Sequence, residues 1–172
     1  MTCSVQTPMT SCALPAVSSS ISNATEVNRL FAHLYNRAMA EAHDLQIYPV
    51  HLAANGEVLE LDQFTGEPLW YASYEKQFSS DGAAGRLVSW HSFDSSWDSW
   101  EMHPEGDEVV LCVNGAIELV QDLDGQFLMT PLAKGQWVVN KAGTWHTANV
   151  AKGSTASCVF ITSGLGTQHR SR

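Results

Sequence analysis

From Tyr48 onward the apolar residues come in short runs, many of them alternating with polar ones, and each run ends at a turn signal. The turn signals are Asn55-Gly56, Thr65-Gly66, Asp81-Gly82, Pro104-Glu105-Gly106, Asn114-Gly115, Asp124-Gly125, Lys134-Gly135, Ala142-Gly143 and Lys152-Gly153. Alternation puts successive side chains on opposite faces of an extended chain, so each run reads as a strand with one buried face. Glu108–Val113, Ala116–Asp122, Gln136–Asn140 and Ala156–Thr162 are the clearest examples. Many short strands at this spacing predict an all-β chain folded as an antiparallel sandwich or barrel over 48–165. Phe127, Met129, Val139 and Ile161 are expected to line it or to fill its core.

Before Tyr48 the pattern differs. Residues 1–22 are rich in Ser, Thr and Pro without periodicity and read as a flexible tail. Asn23 then reads as a helix N-cap with Glu26 as its capping-box partner. Val27, Leu30, Phe31, Leu34 and Ala38 follow at helical spacing, which predicts an N-terminal amphipathic helix over 24–43 and a helix-plus-linker segment over 23–47. Residues 166–172 are polar and Gly-flanked, and read as a C-terminal tail.

Composition narrows the function classes. The 172 residues are 44% hydrophobic and 16% charged, enough apolar content for one packed domain. Nine Lys plus Arg stand against 18 Asp plus Glu, a net charge of −9. All of that excess falls in 87–133, where nine acids occur and no base. Nucleic acids and anionic membranes need clustered cations, so neither is expected as a partner. No apolar run is long enough for a membrane-spanning helix. Cys3, Cys12, Cys112 and Cys158 form no C-x-x-C pair. They are read as reduced, inert thiols in a cytoplasmic protein, with a disulfide or a cysteine nucleophile as the alternatives. A G-x-S-x-G elbow and a Gly-rich phosphate loop are both absent.

One segment bears chemistry. In Trp100-Glu101-Met102-His103 the strand period places Glu101 and His103 on one face. Glu108 opens the next strand after a Pro/Gly turn, and His146 follows the turn at Gly143. Two carboxylates and two imidazoles at one point suit a divalent first-row metal such as Mn, Fe, Ni, Co or Zn. Asp107 and Glu105 read as solvated turn residues, and His33, His43 and His51 as surface residues. His169 lies in the C-terminal tail and is not expected to ligate. The six tryptophans are read as core or interface anchors, with Trp145 pointing away from its neighbour His146.

These spacings resemble the two motifs of the cupins. Glu101-x-His103-x4-Glu108-x6-Gly115 is similar to the first cupin motif, with Glu101 standing where a His is usual. Gly135-x5-Lys141-x-Gly143-x2-His146 is similar to the second, with Lys141 in place of Pro and Asn149 one residue early. The resemblance implies a jelly-roll barrel and a metal held by Glu101, His103, Glu108 and His146. The altered first position leaves a second assignment open: His103, Glu108 and His146 hold the metal, and Glu101 acts as a general base beside it. The expected function is a metal-dependent enzyme, oxygenase-like or an isomerase or decarboxylase, acting on a small oxygenated molecule. A non-catalytic ligand-binding or sensing cupin is the alternative. The resemblance and the apolar stripe of the helix also suggest a homodimer.

Overall fold

The structure is a computed structural model and describes residues 41–172. The N-terminal tail and nearly all of the helix expected over 24–43 lie outside the described residues; 41–43 are not helical. The unit from His43 to Arg172 contains two antiparallel sheets.

Eleven strands follow in chain order: β1 (Val50–Leu52), β2 (Val58–Glu60), β3 (Arg86–Phe93), β4 (Ser99–Met102), β5 (Glu108–Asn114), β6 (Ala116–Leu123), β7 (Gln126–Ala133), β8 (Trp137–Asn140), β9 (Trp145–Asn149), β10 (Ala156–Thr162) and β11 (Gln168–Ser171). The first sheet has the order β2-β1-β3-β10-β5-β8 and the second β11-β4-β9-β6-β7. The all-β jelly-roll expectation therefore holds as a two-sheet antiparallel arrangement. Neither sheet closes on itself into a continuous barrel.

The predicted alternation is realised most plainly in β10. Ala156, Cys158, Phe160 and Thr162 are buried while the residues between them are only half-buried. Facing positions of β5, β6, β7 and β9 complete the main core, with Val110, Cys112, Leu119, Leu132 and Ala148 at its centre. Cys112 and Cys158 are directly opposed across β5 and β10 as free thiols. Burial, reinforced by the neighbouring Cys112, pushes the Cys158 thiol up to about 12, so the reading of an inert cysteine holds there. The β6–β7 hairpin turns at Asp124-Gly125, both at positive φ, as a two-residue loop with right-handed strand twist requires.

Four expectations need correction. Residues 68–78 form a helix, α1 (Pro68–Phe78), where only strands and turns were expected; Pro68 opens it at a position where a missing N–H costs nothing. Its Tyr74 and Phe78 form a second small core with Leu61 and Leu87. That packing buries His51, expected at the surface and only 1% exposed. The His51 ring stacks on Phe78 and bonds Tyr74 Oη through Nδ1 and Asp81 Oδ2 through Nε2, each at 2.9 Å. Third, Phe127 and Met129 do not line an interior. They lie on β7, an edge strand, and are 57% and 56% exposed. Fourth, 168–171 are not a tail but strand β11, paired along β4.

Candidate metal centre

Strand register assembles the site. On the second sheet Glu101 of β4 pairs with His146 of β9, and Gln121 of β6 pairs with the same His146. On the first sheet Glu108 of β5 pairs with Asn140 of β8. His103 follows β4 directly, and its carbonyl accepts the Gly143 N–H at 2.9 Å. That bond joins the turn of the first motif to the turn of the second. Asp107, read as a solvated turn residue, strengthens the same joint. It accepts Lys141 Nζ at 2.7 Å and the Ala142 N–H at 3.0 Å. Lys141 in the place of Pro thus has a partner within the motif.

The four motif residues converge. His103, Glu108 and His146 are 4%, 1% and 0% exposed, and Glu101 is partly open to the cavity. Ligand atoms of Glu101, His103 and His146 all lie within 4.8 Å of one another. Glu108 Oε1 is 3.2 Å from His103 Nε2, and its Oε2 is 3.0 Å from His146 Nε2. Neither contact lies along a ring N–H direction, so both Nε2 atoms are buried without an aligned hydrogen bond.

The opposite ring nitrogens explain this geometry. His146 Nδ1 donates to the Thr144 carbonyl at 3.1 Å, which fixes the tautomer with a free lone pair on Nε2. His103 Nδ1 pairs with Thr167 Oγ1 at 3.0 Å, which orients the ring. Each imidazole thus turns its Nε2 toward the buried Glu108 carboxylate, an arrangement completed by a cation, either a proton on the ring or a metal ion held by the cluster. The residues present therefore fit a divalent metal. Glu108 is itself oriented by a buried chain, in which Gln121 Nε2 donates to Asn140 Oδ1 at 2.7 Å and Asn140 Nδ2 donates to Glu108 Oε2 at 2.9 Å.

Without a metal the imidazoles themselves supply the counter-charge to Glu108. Burial disfavours charge on Glu108, but His103 and His146 outweigh it and hold the carboxyl far below its usual range. Burial likewise opposes charge on His146, and the Glu108 carboxylate outweighs it and raises that imidazole above its ordinary value. The signs set a stability window for metal-free protein. Glu108 stabilises the fold above the ordinary carboxylate range and loses that contribution as pH falls. His146 stabilises it below an imidazole value of ~6.5 and loses its contribution as pH rises through the raised folded-state value. Metal-free protein should therefore melt highest between about pH 4.5 and 6.5. Metal requires the neutral imidazole, so saturating metal should move that maximum upward. A set of melting curves against pH, with and without Zn(II), measures both; a metal-free maximum above pH 8 would contradict the pairing.

Three contributors were not identified from the sequence. Thr167 and His169 belong to the segment read as a tail, and Asn140 was passed over as an ordinary strand end. His169 pairs in register with Glu101, and its Nε2 lies 3.5 Å from Glu101 Oε1. That carboxylate raises the His169 imidazole above its ordinary value. No signal in Gln168-His169-Arg170-Ser171 marks a strand, because all four residues remain exposed. Thr167→Val keeps the side-chain shape but removes the bond that orients His103. It should weaken metal binding about 10-fold with little change in melting temperature; unchanged affinity in a chelator-competition titration would remove Thr167 from the site. Trp145 points away from the cluster as expected, under the Arg170 guanidinium at 4.5 Å.

No protein-family model matches the chain, and no curated protein matches it. Among solved structures, an oxalate oxidase aligns at 13% identity over 48% of this chain and 44% of its own, with a TM-score of 0.43. A double-stranded β-helix protein from Klebsiella pneumoniae aligns at 19% over 51% of this chain and 76% of its own, TM-score 0.43. The hydroquinone 1,2-dioxygenase of Sphingomonas sp. TTNP3 aligns at 14% over 45% and 58%, TM-score 0.37. This chain thus spans less than half of that oxalate oxidase, and likeness at this level says nothing about activity. The described residues have a cupin-like two-sheet fold and a His/His/Glu cluster able to coordinate a divalent metal, with Glu101 at the altered motif position.

Proposed function

We propose that the protein is a metal-dependent enzyme of cupin type that acts on a small oxygenated organic molecule, with oxygenase-like chemistry favoured over isomerase or decarboxylase chemistry. The observation that supports this is the pair of buried, unpartnered Nε2 atoms facing Glu108 beside an open cavity. His103, His146 and Glu108 would hold the metal, and Glu101 would be either a fourth ligand or the base beside it. A bound divalent ion supplies Lewis acidity, and with iron also redox chemistry.

The chain's own groups do the rest. Glu101 is the accessible member of the cluster, at the cavity wall, and can accept a proton from a bound hydroxyl at its carboxylate oxygen. His169, against the same oxygen, can hold that proton or return it. The buried Gln121–Asn140–Glu108 chain keeps Glu108 fixed while this happens.

Metal analysis of freshly purified protein, followed by oxygen uptake with candidate substrates, tests the proposal. Stoichiometric metal with turnover supports it. Metal with no turnover on any substrate class leaves the ligand-binding alternative, and failure to bind metal at micromolar concentration removes both the enzyme and its cluster. The homodimer is likewise proposed, through the exposed edge strand β7 with Phe127, Leu128 and Met129. An 18.8 kDa species in sedimentation would reject it.

A further inference from the structure

Six aromatic rings form a connected wall around the cavity that contains Glu101, His103 and Glu108. Tyr71 meets Phe64 at 5.8 Å between centroids, Phe64 meets His91 at 4.9 Å, and His91 meets Phe160 at 5.6 Å. Phe160 meets Trp97 at 5.8 Å, and Trp97 meets Phe93 at 5.4 Å. The cavity measures about 490 Å³, room for one or two fused rings.

The wall also carries no Lys or Arg among the described residues, whereas Asp98, Glu101 and Glu108 line it. His169 lines it too, with its Nε2 3.5 Å from the Glu101 carboxylate, which offsets any charge on that ring. The nearby cations are committed elsewhere. Arg170 pairs with Asp122 and lies over Trp100 and Trp145, Arg172 reaches the Trp97 carbonyl, and Lys141 holds Asp107. Burial lowers the His91 imidazole below its ordinary value, so it is a neutral ring at physiological pH. Burial, reinforced by Glu101, pushes the Tyr71 phenol up to about 12, so it is neutral too.

The altered first motif acts in the same direction. A carboxylate where a neutral imidazole is usual adds one unit of negative charge to the ligand set. The two carboxylates of the cluster, Glu101 and Glu108, would balance the charge of a divalent ion held there, and the exposed Asp98 adds a further negative charge at the wall. An anionic ligand would find neither a guanidinium nor a surplus of metal charge.

We propose that this cavity selects an uncharged aromatic alcohol, of the phenol or naphthol class, over an aromatic carboxylate of the same size. The ring lies along the aromatic wall, and the hydroxyl is directed to the Glu101–His103–His146 cluster, which rests on the metal-centre reading above. The selection against charge depends on the wall and does not need turnover.

The test uses 2-naphthol, 2-naphthoate and decahydro-2-naphthol, titrated by calorimetry into Zn(II)-loaded and metal-free protein. The first pair differs in charge, and the outer pair in aromaticity. Binding of 2-naphthol at least ~10-fold tighter than either analogue is expected. Ser95→Lys places a cation at the wall, at an exposed position whose hydroxyl contacts only Asp94. It should narrow the naphthol–naphthoate gap at least ~5-fold. Equal or tighter binding of 2-naphthoate to the wild-type protein overturns the proposal, as does an unchanged gap in folded Ser95→Lys. Equal binding of the decahydro compound overturns its aromatic part. If 2-naphthol binds equally well with and without Zn(II), the direction given to the hydroxyl is overturned while the selection against charge stands; failure of the protein to take up Zn(II) at all is what removes the metal-centre reading, so the two failures are separable.

Discussion

His146→Ala should abolish stoichiometric uptake of divalent metal. The ring it removes is fully buried, has its Nδ1 fixed by the Thr144 carbonyl, and shows its other nitrogen to Glu108 at 3.0 Å. Loss of an outer partner of a ligand typically costs about 10- to 100-fold in metal affinity, so loss of the ligand itself should exceed ~100-fold. A second effect goes with it. The metal-free variant keeps the Glu108 carboxylate buried with one counter-group fewer, which should cost on the order of 3 kcal/mol in unfolding free energy. The two effects can be separated. His103→Ala removes the other imidazole 3.2 Å from Glu108 and should show the same loss of metal. A surface change such as Glu57→Gln, of a residue exposed beside the β1–β2 turn, should show neither. Competition with a fluorescent chelator reads the affinity. Full metal retention in both histidine variants would sink the proposed centre.

The second large effect is on stability and depends on one turn. Gly115 joins β5 to β6 at φ +69°. A Cβ built there would lie 2.1 Å from the Thr155 carbonyl oxygen and 3.0 Å from Ala156 Cα. Both are backbone atoms beside β10, so no side-chain rotation relieves the collision. Gly115→Ala should therefore lower the unfolding free energy by on the order of 3 to 5 kcal/mol. Gly125 supplies the control. It has φ +87° with nothing within 4 Å, so Gly125→Ala meets only the left-handed backbone penalty of about 1 to 2 kcal/mol. Urea unfolding of the pair isolates the close approach from the dihedral. Equal losses would mean that β6 leaves Gly115 without touching Thr155.

This contrast shows what kind of information a sequence holds. The dipeptide Asn114-Gly115 identified a turn, and it looked the same as Asp124-Gly125. Only the neighbour brought up by β10 makes one glycine far less replaceable than the other. The same division runs through the site. Glu101 and His103 were legible because strand alternation is a covalent property of neighbours, and His146 because a turn and a strand start fix its direction. Asn140 and Gln121 were not legible, since their role depends on which strands lie side by side. Helix α1 was missed because Trp70, Tyr74 and Phe78 are mediocre helix formers, held in place by packing with Leu61 and Leu87 rather than by propensity.

The charge pattern divides in the same way. The sequence alone shows that 87–133 contains nine acids and no base, the ground for expecting no partner that demands clustered cations. It does not show where those acids find their counter-charges. The fold returns Arg170 to Asp122 through β11, and Arg172, just after that strand, to Asn149, the side-chain partner of Glu118. Local spacing along the chain determined the strand faces, the turns and the types of group that could meet. Pairing between distant strands decided which of them do meet, because backbone hydrogen bonds between β4, β9 and β11 depend on register and hardly on side-chain identity. His169 beside Glu101 and Thr167 behind His103 are products of that register.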